Sequence, residues 1–268
     1  KNCFLTKQFL SDYNKKELTS YISSNTYPIQ IKSSLEKHLP KILKIDKQKL
    51  SLTKKAMKHL SKENIVQMDK ISKLNLINSC TGYKSANLIA TKSIDGDTNV
   101  AVFSSITHLG SSPALIGFIM RPTTVPRDTY KNIMETGYFT VNHITVDMIA
   151  DAHHTSSNYD TGVSEFDKTN LIEEYKENFP IPFVKGSPVQ LYCKFVNEYF
   201  IKENDTIHVI ASIEHLFFEE ELQHKDSWLQ LDKANVITLN GLDGYCLPKL
   251  VDRFKYARKD QPTASFFE

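Results

Sequence analysis

The sequence has no CxxC pair, no apolar run long enough to span a membrane and no glycine-rich nucleotide motif, and each absence removes a class of protein. Its four cysteines, Cys3, Cys80, Cys193 and Cys246, stand far apart, which argues against a zinc knuckle or a disulfide scaffold and fits a reducing cytosol. Neither G-x-G-x-x-G nor G-x-x-x-x-G-K-[ST] occurs, so a dinucleotide fold and a P-loop are both disfavoured. A nucleophilic triad is not indicated either, because there is no G-x-S-x-G elbow and no cysteine beside a basic motif. The opening KNCFLTKQFL lacks the apolar core and cleavage site of an export signal. The expectation is a soluble, cytoplasmic protein.

Charge divides the chain. Residues 1–56 hold 12 Lys+Arg and 4 Asp+Glu, whereas residues 57–268 hold 21 and 27. The first part contains no glycine and no arginine. It reads as short helices or a poorly ordered lysine-rich extension. Basic arms can meet nucleic acid or anionic lipid, but without arginine or a reader motif a solvated appendage is the better expectation, and neither nucleic acid nor membrane is expected as a partner. At Met57 the text changes to MKHLSKENIVQMDKISKLNLINS, where Ile65, Met68, Ile71 and Leu74 recur at helical spacing after a cap-like start from Ser61 to Asn64. A compact domain over residues 57–268 is expected to begin there.

After Gly82 the pattern becomes β. SANLIATK and TNVAVFSS flank Asp95-Gly96-Asp97, where glycine supplies the positive φ of a hairpin turn. ALIGFIM is a continuously apolar strand, broken by Pro122 and Pro126. RDTYKNIMETG predicts a short helix with Tyr130, Ile133 and Met134 inward and Gly137 at its end. YFTVNHI resumes as a strand, VDMIADAH predicts another short helix, and SEFDKTNLIEEYKENF a loop plus helix. VQLYCKFVNEYF and TIHVIASIEHLFF predict two long strands. Many strands with few, short helices point to a mainly β barrel.

Ser104, Ser105 and Thr107 crowd one strand end, and Thr123 and Thr124 follow the next, beside Arg121. A flavin mononucleotide needs this mixture, since its phosphate takes a cation and several hydroxyl or N–H donors while its ring takes an apolar wall. Ordinary turn chemistry, in which Ser and Thr bond their own backbone, is the competing explanation. His108, His143, His153 and His154 with Asp147 or Asp151 form the rival constellation, a zinc site. No H-x-x-x-H pattern occurs, and adjacent helical side chains diverge by about 100°, so no metal is expected. Trp228 reads as a packing residue, and Glu219, Glu220 and Glu221 as a solvated loop or edge.

Taken in order, SANLIATKSIDGDTNVAVFSSITHLGSSPALIGFIMRPTTVPRDTYKNIMETGYFTVNHI, AHHTSSNYDTGVSEFD, SPVQLYCKFVNEY and LNGLDGYCLPKLVDRFKYAR resemble the flavin reductase family in its flavoredoxin-like branch. The resemblance covers residues 57–268 and implies an FMN-binding split β-barrel with a few short helices, preceded by the lysine-rich extension. It implies that Ser104, Ser105, Ile106 and Thr107 line the flavin ring and ribityl chain, and that Arg121, Thr123 and Thr124 hold the phosphate. Asn87, Asn142, His143, His154, Thr155 and Ser156 are the remaining implied contacts. For His143 and His154 a buried or capping role without cofactor contact competes with this assignment.

The implied activity is NAD(P)H-dependent reduction of FMN, with hydride passing from nicotinamide to flavin N5. The alternative is a flavoredoxin-like electron carrier with a protein redox partner, and a third reading is a non-redox binding module. The implied assembly is a homodimer, with an oxygenase or another protein as possible electron acceptor. In one place the chain departs from the family. Where many flavin reductases carry Gly-Asp-His before the last long strand, associated with nicotinamide handling, it reads Asn204-Asp205-Thr206. That departure favours the carrier.

Overall fold

The computed structural model describes residues 57–160 and 162–267. The chain divides into two compact units, Lys1–Ile65 and Val66–Glu268. The lysine-rich extension, residues 1–56, lies outside the described residues.

The stretch expected as one helix is two, α1 (Lys62–Gln67) and α2 (Lys70–Cys80). Ser61 and Asn64 cap each other reciprocally at the start of α1, whereas Asp69 breaks the run by accepting the Ile71 and Ser72 N–H groups at the start of α2. Neither helix buries a residue, and Ile71 and Leu74 are exposed. The apolar spacing is real, but of its stripe Ile71 and Leu74 face water while Ile65 and Met68 are only half-buried.

Among the described residues twelve strands follow: β1 (Lys84–Ser85), β2 (Asn87–Lys92), β3 (Thr98–Phe103), β4 (Thr107–Ser111), β5 (Ala114–Met120), β6 (Tyr138–His143), β7 (Glu173–Glu174), β8 (Phe183–Val184), β9 (Val189–Ile201), β10 (Thr206–Phe218), β11 (Thr238–Asn240) and β12 (Gly244–Cys246). Seven form one antiparallel sheet in the order β3-β2-β6-β9-β10-β5-β4. The edge strands of that sheet, β3 and β4, are consecutive in sequence. One run of chain therefore pairs with β2 through its first half and with β5 through its second, curling the sheet into a barrel with its corner at residues 104–106. The Ser105 hydroxyl pins the corner by accepting the Ile119 N–H at 3.0 Å and donating to the Ile119 carbonyl at 3.3 Å. Ser85 Oγ ties the other side to the Ile106 carbonyl at 2.9 Å.

Period-2 alternation sorts the side chains into two cores. Ile89, Ile116, Phe118, Phe139, Val141, Leu191, Cys193 and Val209 fill the barrel, with Phe118 edge-on to both Phe103 and Phe139. Each fully buried side chain of this kind contributes about 1.5–3 kcal/mol. Leu88, Ala90 and Val100, on the opposite face, pack with Ile144, Ala152, Phe166, Val184 and Leu239 under the loops that follow β6.

Helix α3 (Asp128–Thr136) ends on Gly137 at φ 76°, where a Cβ would be strained. Ile133 enters the barrel core, but Met134 is exposed and the buried companions are Thr129 and Asn132. They face inward because they have partners. Thr129 Oγ1 donates to Asn99 Oδ1 at 2.8 Å and Asn132 Nδ2 to Thr91 Oγ1 at 3.0 Å, which fastens the helix to β2 and β3. Helix α4 (Ile149–His154) follows a single 3-10 turn, as VDMIADAH predicts. The helix expected within SEFDKTNLIEEYKENF is absent; a 3-10 turn at Glu165–Lys168 is followed by β7, which pairs with β8. That pairing holds Glu173 and Glu174 extended against Val184 and Phe183.

Candidate functional site

Three strands bring their ends together beside the corner. Asn87, the first residue of β2, stands opposite Phe103 at the end of β3 and opposite His143 at the end of β6. Asn87 shares the parity of Ile89, His143 that of Val141, and Phe103 packs on the barrel core, so all three belong to the barrel face at one end. Burial pushes the His143 imidazole down to about 4. At neutral pH it is an uncharged ring with one donor and one acceptor.

The free edge of β3 leads into the same corner. Its outward amides are capped in turn: Val100 N–H by Glu165 Oε2 at 3.0 Å, and Val102 N–H by Thr155 Oγ1 at 2.9 Å. The second bond fixes the His154, Thr155, Ser156 turn next to the end of β3. Glu165 also accepts Asn99 Nδ2 at 2.6 Å, and burial pushes its carboxyl above the ordinary value. On the other side of the corner, Arg121, Thr123 and Thr124 follow β5 directly and are exposed. Arg121 is two residues beyond Ile119, the partner of Ser105.

The structure thus gathers Asn87, His143, Ser104, Ser105, Ile106, Thr107, Arg121, Thr155 and their neighbours around one corner, and leaves Asn142 elsewhere. Asn142 lies on the opposite face of β6, donating to the Leu88 carbonyl and Thr140 Oγ1 and accepting the Val184 N–H. Both ends of its amide are spent within the protein. The side chains of Ser105 and Thr155 are likewise spent, the latter donating to the Ala152 carbonyl at 2.7 Å, and Ser156 Oγ donates to the His153 carbonyl. His154 stands edge-on to Tyr159, with ring centroids 6.0 Å apart.

Arg127, Tyr159 and Glu165 are the residues that sequence reasoning passed over. Arg127 precedes the first turn of α3, and its Nε is buried without a hydrogen-bond partner among the described residues, as are Asn87 Nδ2 and Tyr159 OH. Buried donors left in this way cost about 1–3 kcal/mol each. A signal for Arg127 was in the sequence, since residues 57–246 contain two arginines and both lie in the 121–127 loop. Glu165 had no such signal, because its role depends on the strand edge it caps. No cluster of metal-binding side chains occurs among the described residues.

This donor set fits a flavin mononucleotide. Two guanidinium groups and two free threonines stand in one loop for an anionic phosphate, Phe103 and Ile106 supply apolar surface, and orphaned amide and guanidinium donors accompany them.

Comparison with known proteins agrees. Residues 83–234 match the family described as the flavin reductase like domain. A candidate flavin reductase with a split barrel domain from Shewanella frigidimarina NCIMB 400 is 38% identical, with a TM-score of 0.73 over 75% of this chain and 100% of that one. Component B of nitrilotriacetate monooxygenase from Bacillus cereus shares the fold at 19% identity and a TM-score of 0.64, over 75% of this chain and 99% of that one. Flavoredoxin of Desulfovibrio vulgaris (Miyazaki F) shares it at 17% identity and a TM-score of 0.54, over 66% of this chain and 91% of that one. The corner at residues 104–106, the seven-stranded split barrel and the match across more than half the chain lead to one assignment: the protein belongs to the flavin reductase like family.

Proposed function

We propose that the protein is an FMN-binding oxidoreductase that receives hydride from NAD(P)H. The observation that carries this reading is the convergence of Asn87, Phe103 and His143 beside the 104–106 corner, with both arginines of residues 57–246 in the next loop. FMN, when bound, supplies an N5 that takes up hydride from a stacked nicotinamide. Arg121 and Arg127 hold its phosphate by charge-assisted hydrogen bonds, with Thr123 and Thr124 as hydroxyl donors. Main-chain groups of residues 104–107 line the ring, because the Ser105 hydroxyl is committed to Ile119. Phe103 and Ile106 exclude water from one side, and neutral His143 offers a hydrogen bond without placing a charge near the ring. Hydride transfer itself needs no protein acid or base; alignment supplies most of the rate.

Anaerobic stopped-flow absorbance of FMN-loaded protein mixed with NADH or NADPH tests this. Rapid bleaching of the flavin band is expected, and a flavin that binds but stays oxidised with both nucleotides would replace the reductase with an electron carrier. One observation favours the carrier. At the Gly-Asp-His position stands the β9–β10 turn, where Asn204 Oδ1 accepts the Thr206 hydroxyl at 2.7 Å and Asp205 sits at φ 57°. That turn is exposed and offers no imidazole to nicotinamide. In either case the proposed acceptor of reduced flavin or its electrons is a second protein, an oxygenase or another redox partner; the Bacillus cereus relative is named as a component of a monooxygenase.

A further inference from the structure

Helix α3 buries two polar side chains on the face where an amphipathic helix ordinarily buries apolar ones. Thr129 and Asn132 share that face at i and i+3, and each meets a buried partner on the sheet. Thr129 Oγ1 donates to Asn99 Oδ1 at 2.8 Å, Asn132 Nδ2 donates to Thr91 Oγ1 at 3.0 Å, and Thr91 Oγ1 donates to Asn99 Oδ1 at 3.4 Å. The other end of the Asn99 amide donates to Glu165 Oε2 at 2.6 Å. All five residues are less than a tenth exposed. A chain of hydrogen bonds thus runs from the Glu165 loop across β3 and β2 into the first turn of α3. Its direction is fixed, because Glu165 Oε2, which also accepts the Val100 N–H, takes the amide nitrogen of Asn99 and leaves the amide oxygen to the Thr129 hydroxyl.

Such a network does more than hold a helix on a sheet. Apolar packing of the kind Ile133 makes is non-directional, whereas hydrogen bonds from two positions of one helix face fix both its rotation and its place along the axis. The segment that depends on this is the loop before the helix. Residues 121–126 form neither helix nor strand, and Pro122 and Pro126 have no N–H to bond. The loop is therefore aimed by its two ends, Met120 on β5 and the first turn of α3. Thr129 anchors the second end, two residues past Arg127, whose Nε is buried without a partner among the described residues.

We infer that Asn99 and Thr129 are positioning residues for the flavin phosphate: the relay from Glu165 through Asn99 seats the first turn of α3 and so aims the Arg127 guanidinium. This rests on the reading of the 121–127 loop as the phosphate site. Both side chains are buried within the network, so they act through Arg127 rather than on the flavin.

Dissociation constants of the full chain for FMN and for riboflavin, read by quenching of flavin fluorescence, test it, with the thermal midpoint as the check on folding. The wild type is expected to prefer FMN. Thr129→Val, which keeps the shape and removes the hydroxyl, is expected to weaken FMN binding about tenfold, the scale of one charged contact out of place, and to leave riboflavin binding unchanged. Thr129→Ser restores the hydroxyl and with it the preference. In the Arg127→Met background Thr129→Val is expected to cost nothing further, since the group it aims is gone. Thr129→Ala removes the same hydroxyl and is read in the same way should the valine variant not fold. A wild type that binds the two flavins alike would overturn the phosphate reading and this inference with it. A wild type that prefers FMN, with Thr129→Val keeping that preference, weakening both flavins equally, or adding its full loss to that of Arg127→Met, would overturn this inference alone.

Discussion

The Glu165 carboxylate accepts the main-chain N–H of Val100 at 3.0 Å, a side chain from a loop completing the hydrogen bonding of a strand 65 residues earlier. With Thr155 on Val102 it covers the free edge of β3, which would otherwise offer bare amides to another chain. The edge is therefore closed where its capping loops reach and opens only at the corner beyond Phe103. That is where the candidate flavin site begins.

Removing the cap should be costly. Glu165→Ala is expected to lose about 2–3 kcal/mol, because it leaves Val100 N–H and Asn99 Nδ2 buried without their acceptor. Glu165→Gln keeps one acceptor oxygen and should lose less. Burial raises the native pKa of Glu165 above its ordinary 4.5, so above pH 4.5 the native state holds the proton more tightly than the unfolded state. Its contribution is fully present below pH 4.5 and declines as pH rises towards the raised value. Urea denaturation of wild type and Glu165→Gln from pH 4 to 7 should show this downward component in the wild type alone.

His143 acts with the opposite sign. Its native pKa of about 4 lies below the ordinary 6.5, so between those values the unfolded chain takes up a proton that the native ring refuses. Stability should fall by about 1 kcal/mol per pH unit as pH drops through this window. Replacing His143 with Gln removes that component, and the difference between the two denaturation profiles measures it free of the other histidines.

Flavin binding should distinguish the two arginines from the rest of the site. Arg121→Ala and Arg127→Met are each expected to weaken FMN binding by about 1.5–3 kcal/mol, while affinity for riboflavin, which lacks the phosphate, should stay unchanged. Quenching of flavin fluorescence measures both. Equal losses for the two flavins would mean that the arginines support the loop rather than the phosphate.

We propose that residues 57–268 fold independently of residues 1–56. The shortened chain is expected to unfold cooperatively and to bind FMN as the full chain does. Circular dichroism melts with a flavin titration check this, and an insoluble or colourless product would assign the lysine-rich extension to the domain.

Much of the fold was legible along the chain because its cues are local. Gly96 at φ 101° and Gly137 at φ 76° mark their turns, alternation marks β2 and β3, and the unbroken length of β9 and β10 needs no partner to be read. The resemblance to a flavin-handling barrel was also carried by contiguous text. Other features had no local cue. The periodicity of Ile71 and Leu74 predicts a helix, but whether anything covers that stripe depends on the rest of the molecule, and nothing among the described residues buries these two. Met134 and Asn132 exchange their expected places because Thr91, 41 residues earlier, offers Asn132 a partner. Asn142 and His143 are neighbours in sequence, yet the pleat sends them to opposite faces, and only the pairing of β6 with β2 decides which one reaches the corner. Period and turn chemistry are properties of a few adjacent residues, and the sequence alone determined them. The meeting of Asn87, Phe103 and His143 depends on strand registers between segments far apart in the chain, which only tertiary hydrogen bonding and the packing of two cores select.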